Sequence, residues 1–134
     1  MKLIIAGSRH YEMDQVWDDL IEVIHNNHLH VKISQIISGG SKGVDQIGET
    51  YAMTYNYPLI RFPAQWDLLG RKAGPIRNQK MADYGDALVA IWDGESRGTM
   101  DMVKKMQEAN KPVYLRRIMV MHKNKPNEVE DVLL

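Results

Sequence analysis

The sequence predicts an α/β protein: a single Rossmann-like domain on a mainly parallel five-stranded sheet, order 3-2-1-4-5, with helices on both faces. Three observations predict it. Short apolar runs alternate with segments of helical periodicity about every twenty-five residues, the rhythm of βα units. Glycine-bearing breaks follow four of these runs: Gly7-Ser8-Arg9, Ser38 to Gly43, Ala73 to Asn78 and Gly94 to Thr99. At 134 residues the chain suits one core rather than two. Right-handed crossovers then make the first and fourth strands neighbours at the switch point, where a ligand belongs.

Lys2-Leu3-Ile4-Ile5-Ala6 is a short β-branched run stopped by Gly7, and reads as a buried strand. Asp14 is placed to cap a helix whose apolar positions Val16, Trp17, Leu20, Ile21 and Ile24 recur at three and four. Gln35 to Ser38 is the second strand, ended by Gly39-Gly40, and Val44 to Tyr55 is the next helix. Pro58 to Pro63 is a shorter third strand, which its prolines put near an edge. Trp66 to Pro75 reads as loop and Ile76 to Tyr84 as a short helix. Asp86 leads into the most apolar strand, Ala87 to Trp92. Gly98 to Asn110 is a helix with Met102, Val103 and Met106 inward, and Val113 to Leu115 is the fifth strand. Residues 1–118 make the domain and 119–134 a C-terminal extension. In that extension Met119 to His122 continues the last strand and Lys123 to Asn127 makes a polar turn. Glu128 to Leu134 is a mobile tail, a frayed helix or an oligomer contact.

Composition excludes several classes. Seventeen Lys and Arg balance seventeen Asp and Glu, so nothing global favours adsorption to nucleic acid or an acidic membrane. Charge is uneven, however: Asp14, Asp18 and Asp19 make the first helix acidic, whereas Arg61, Arg71, Lys72, Arg77 and Lys80 gather in a basic segment. There is no cysteine, hence no disulfide, thiolate nucleophile or cysteine-bound metal. No apolar run reaches membrane-spanning length and no signal-peptide pattern opens the chain, so a cytoplasmic protein without a membrane partner is expected.

The glycine turns carry the chemistry. Gly98-Thr99 opens a helix whose first amides lack intrahelical partners and whose dipole adds partial positive charge, a setting for phosphate. Ser96 or Thr99 also suits a helix cap. Gly39-Gly40-Ser41-Lys42-Gly43 matches neither the G-x-x-x-x-G-K-[ST] phosphate loop nor the G-x-G-x-x-G fingerprint, which removes support for ordinary ATP hydrolysis and NAD binding. Asp45 either fixes that loop or accepts from a ribose hydroxyl. Arg77 presents a fork for phosphate or carboxylate, and Asn78 suits a sugar or base edge. Trp66, in a loop, is the stacking candidate, whereas Trp92 belongs to the core, as do Met100, Met102 and Met106. His25, His28 and His30 flank a helix end without clustered carboxylates and read as solvated surface, so neither metal nor resident cofactor is expected.

These segments together resemble the SLOG superfamily, and within it the small family related to YspA and YpsA. The resemblance rests on Ala6-Gly7-Ser8-Arg9, Ser38-Gly39-Gly40-Ser41-Lys42-Gly43-Val44-Asp45, Pro63-Ala64-Gln65-Trp66, Ala73-Gly74-Pro75-Ile76-Arg77-Asn78 and Trp92-Asp93-Gly94-Glu95-Ser96-Arg97-Gly98-Thr99. It spans Lys2 to about Leu115. It implies binding of a nucleotide or nucleotide-derived ligand, such as an ADP-ribose-like signal, on Gly7, Ser8, Arg9, Gly39, Gly40, Ser41, Lys42, Asp45, Trp66, Arg77, Asn78, Gly94, Ser96, Gly98 and Thr99. It also implies a homo-oligomer.

Two similar groups imply different activities. LOG enzymes are phosphoribohydrolases that cleave the base from a nucleoside monophosphate. Arg77 matches their arginine, but their glutamate position falls on Met102, one residue after Asp101. A thioether neither activates water nor stabilises an oxocarbenium-like centre. Glu95 or Asp101 are the carboxylates left for such a role. DprA is similar in Ser38 to Asp45 and in Arg77-Asn78, and implies single-stranded DNA binding, which the neutral charge disfavours.

Overall fold

A computed structural model describes residues 1–119 and 128–133. Five parallel strands lie in the order β3-β2-β1-β4-β5: β1 (Lys2–Gly7), β2 (Gln35–Ser38), β3 (Leu59–Arg61), β4 (Ala87–Trp92) and β5 (Val113–Met119). β1 and β4 are adjacent, with Ile5 opposite Val89 and Gly7 opposite Ile91, so the switch point lies where the crossover rule puts it. A sixth strand, β6 (Glu128–Leu133), pairs antiparallel to β5 and extends the expected five-stranded sheet. Part of the C-terminal extension is therefore a strand and not a frayed helix. The expected polar turn at 123–127 lies outside the described residues.

Alternation along the central strands sorts side chains to two cores. Leu3, Ile5, Val89 and Ile91 face α1 (Met13–Asn26) and α2 (Val44–Thr54), meeting Val16, Leu20, Ile24, Ile47 and Tyr51. Ile4, Ala6, Leu88 and Ala90 face α4 (Ala73–Tyr84) and α5 (Arg97–Glu108), meeting Met81, Met102, Val103 and Met106. Both faces of β1 and β4 are thus covered, as parallel sheets require. Each fully buried Leu or Ile contributes about 1.5–3 kcal/mol.

Two local expectations are corrected. The N-cap of α1 is Glu12, two residues before Asp14; its amide donates to the Gln15 side chain at 2.8 Å. Asp14 instead sits in the first turn, where its charge favours the helix dipole. The segment Trp66 to Pro75 is not loop: Trp66–Leu69 forms a short helix (α3), Gly70–Lys72 a 3-10 turn, and α4 begins at Ala73. Pro75 is the third residue of α4, where an amide has no intrahelical acceptor to lose.

Candidate functional site

The glycine turns meet at the carboxyl edge of β1 and β4. Ser8 joins two of them: its amide donates to the Ile91 carbonyl at 3.1 Å, and its hydroxyl accepts from the Asp93 amide at 3.0 Å. Gly43, at φ +76°, packs against the carbonyls of Ser8 and Arg9, and the Val44 amide donates to the Ser8 carbonyl at 3.2 Å. A Cβ at position 43 would strain the backbone and strike that turn. The β1 and β2 turns are therefore locked together.

Below the Gly39-Gly40 turn lies a polar network. The Ser38 hydroxyl donates to Glu49 at 2.7 Å and accepts from the Gly40 amide at 3.0 Å. Arg61, at the end of β3, donates to Glu49 from Nε at 3.0 Å and Nη2 at 2.8 Å. Burial pushes the Glu49 carboxyl up, but Arg61 and Ser38 outweigh it and hold the group below the usual range.

Arg77 and Asn78 tie this turn to the start of α5. Arg77 Nη1 donates to the Gly39 carbonyl at 2.5 Å, and Nε to Asn78 Oδ1 at 3.0 Å. Asn78 Nδ2 donates to the Gly98 carbonyl at 3.2 Å and to Asp101 at 2.9 Å, and Lys105 donates to Asp101 at 2.6 Å. α5 itself begins at Arg97, one residue before the expected Gly98, and its N-cap is Ser96, which accepts from the Thr99 amide at 3.4 Å. Arg77 is buried, and burial lowers its pKa against the pull of Asp45, with Arg9 adding to the lowering.

Two spaces with part of their lining in common result. A narrow inner recess of about 50 Å³ is bounded by Gly7, Arg9, Ser41, Asp45, Arg77 and Asn78, and by Ser96, Gly98 and Thr99 of the α5 start. An open outer trough of about 730 Å³ shares Arg9, Ser41 and Arg77 and adds Gly39, Gly40, Lys42 and Trp66. Trp66 is half exposed, rests on Gly74, and has the Arg9 guanidinium 5.8 Å from its ring centroid.

Four expected site residues stand elsewhere. Ser8 is fully buried and engaged between turns. Gly94 packs against Arg117. Glu95 opens onto a different cleft, with His10, Tyr11 and Arg117. Asp101 lies behind Asn78, paired with Lys105, and does not line the recess. Met102 does, as a fully buried part of its floor.

Sequence reasoning missed Glu49 and its pairing with Arg61. The signal available was spacing, since Glu49 follows Asp45 by one helical turn. Asp45 itself is buried, accepts from the Ser41 amide at 3.1 Å, and has its carboxyl pushed up to about 6 by burial, against the Ser41 amide and Arg77. His25 and His30 stack ring on ring, centroids 4.2 Å apart, and among the described residues no three His, Asp or Glu side chains form a metal-binding group. No helix among the described residues is long and apolar enough to cross a membrane.

Comparison with known proteins agrees with this architecture. A gene 61 protein of Mycobacterium phage D29 is 30% identical over 119 residues, covering 84% of this chain and 93% of that protein. A family model for YspA, cpYpsA-related SLOG proteins (YAcAr) matches residues 1–68, which hold β1 to β3 and the first two glycine turns. The fold, the order of the turns and these matches together make the chain a member of the YspA, cpYpsA-related SLOG family.

Proposed function

We propose that this chain binds a nucleotide or nucleotide-derived ligand, with a phosphate in the inner recess and the base toward Trp66 in the outer trough. One observation carries the reading. Two turns distant in sequence, the Arg77-Asn78 pair of α4 and the start of a twelve-residue helix converge on a single recess beside two arginines and an exposed indole. Amides at a helix start and arginine forks are the donors that phosphate prefers, and a half-exposed indole is a platform for a base. An ADP-ribose-like molecule carries both chemistries, phosphates for the recess and a base for the indole. Membership of the SLOG family supports a nucleotide-related ligand.

Binding is preferred to N-glycoside cleavage because of α5. The side chains that α5 gives the recess are Thr99 and Met102, neither of them a carboxylate, and Asp101 is committed to Asn78 and Lys105. The reading takes the protein as cytoplasmic, which the lack of cysteine supports, and as self-associating, which rests on the family resemblance.

A panel of AMP, ADP, ADP-ribose and NAD, scored by thermal stabilisation and by chromatography for free base, tests it. At least one member raises Tm by mass action, and no base is released. Arg9→Ala, an exposed position lining both spaces, weakens that binding about tenfold without lowering the Tm of the free protein. No stabilisation by any member rejects the reading, and free base transfers it to the hydrolase class.

A further inference from the structure

The acidic side chain lining the inner recess is Asp45, and it stands where an oxyanion would stand. It accepts from the Ser41 amide at 3.1 Å and draws on the Gly7 amide at the end of β1. It also faces Arg77 across Gly39: a Cβ on Gly39 would lie 2.6 Å from Arg77 Nη1 and 2.9 Å from Asp45 Oδ2. These donors are the ones the proposed phosphate site would use. The recess is narrow, so a phosphate lodged there stands against this carboxyl. We infer that Asp45 is an internal occupant of the phosphate cradle, and that an anionic ligand binds together with one proton taken up at Asp45. The inference rests on the ligand reading above.

The surroundings of Asp45 permit this exchange. Its own helix brings Glu49, one turn on, already tied to Arg61 and Ser38. α4 brings Arg77, the β1 turn brings Arg9, and β2 brings only the Ser38 hydroxyl. From α5 come Ser96 and Thr99, while Asp101 is neutralised by Lys105. Burial has already raised the Asp45 carboxyl to about 6. A phosphate in contact adds like charge, which moves it further the same way. Once protonated, the carboxyl changes from a competitor to a donor toward a phosphate oxygen. The proton comes from solvent and no covalent bond changes.

The test uses ADP-ribose and sulfate, whose charges stay constant from about pH 6 to about pH 8. For the wild-type protein, the dissociation constant rises about tenfold per pH unit once Asp45 is ionised in the free protein. Calorimetry at pH 8 in buffers of different ionisation heat reads an uptake near one proton per ligand. Asp45→Asn makes binding independent of pH and, at pH 8, at least about tenfold tighter than wild type. Binding by the wild-type protein with no proton uptake overturns the inference and leaves the site standing, as does a pH slope that survives in Asp45→Asn. If that variant does not fold, the wild-type calorimetry decides alone. Failure of both anions and of the nucleotide panel to bind at any pH removes the site and this inference together.

Discussion

Gly39 shows how tightly single residues are set at this site. It lies between the Arg77 guanidinium and the Asp45 carboxyl, and both close contacts come from side chains that are themselves held. A methyl group there must push the two apart. Gly39→Ala is expected to lower stability by about 1–3 kcal/mol, the usual cost of overpacking, and to abolish nucleotide-induced stabilisation. Scanning fluorimetry with and without ligand checks this; a wild-type response would contradict it. The same residues show what a sequence reveals at this scale. A glycine pair after an apolar run announces close approach, whatever approaches. That Arg77 approaches Gly39, or that Glu49 anchors Ser38 and Arg61, depends on side chains brought from four elements.

At the scale of elements, the start of α5 is built as a cap before it is a binding site. Ser96 accepts from the Thr99 amide, and Asp93 accepts from the amides of Glu95 and Ser96 at 2.8 Å each. Burial pushes Asp93 up, but those amides outweigh it and hold its pKa below the usual range. Ser96→Ala is expected to cost about 1 kcal/mol, read as a lower midpoint in urea at unchanged m. The Gly98 and Thr99 amides remain, so ligand affinity changes less than in Arg9→Ala. An affinity loss larger than that of Arg9→Ala would make the Ser96 hydroxyl a ligand contact. Strands and helices were legible from periodicity, and so were the starts of β1, β2, β4, β5 and α2, but those of α1, α4 and α5 were not. Pro75 reads as the end of a loop before a helix at Ile76; at the third position of α4 it breaks no bond.

For the whole molecule, Arg116 is the bolt. It is 3% exposed, lies opposite Asp131 in the β5–β6 pair, and donates to Asp131 at 2.7 and 2.9 Å. It also reaches Asp19 at 3.1 Å and Glu22 at 3.0 Å on α1. Two of these three carboxylates respond differently. Arg116 holds Asp131 below the usual carboxylate range, whereas burial raises Asp19 despite the same arginine. Exposure decides: the Asp19 side chain is 18% exposed and Asp131 61%. Arg116→Ala is expected to cost about 3 kcal/mol, since it leaves Asp19 partly buried without its partner. It is also expected to speed amide exchange in β6 selectively; uniform protection would deny Arg116 this role. The Asp131 share of stability is present above its ordinary titration range and is lost as pH falls through its lowered value. Arg116→Ala therefore flattens the acid limb of the stability curve.

By itself the sequence determined the α/β class, the order of the five parallel strands, the edge position of β3, and the turns after β1, β2 and β4. Those follow from local causes: periodicity, β-branching, glycine, and the handedness of crossovers. Only tertiary structure decided that Ser8 is a clasp, that Glu95 belongs to another cleft, that Asp45 lines the recess, and that β6 extends the sheet. Each of these depends on partners far away in the chain. The side chain's own identity is the same in every arrangement, and only packing selects the one in which its hydrogen bonds and charge are satisfied.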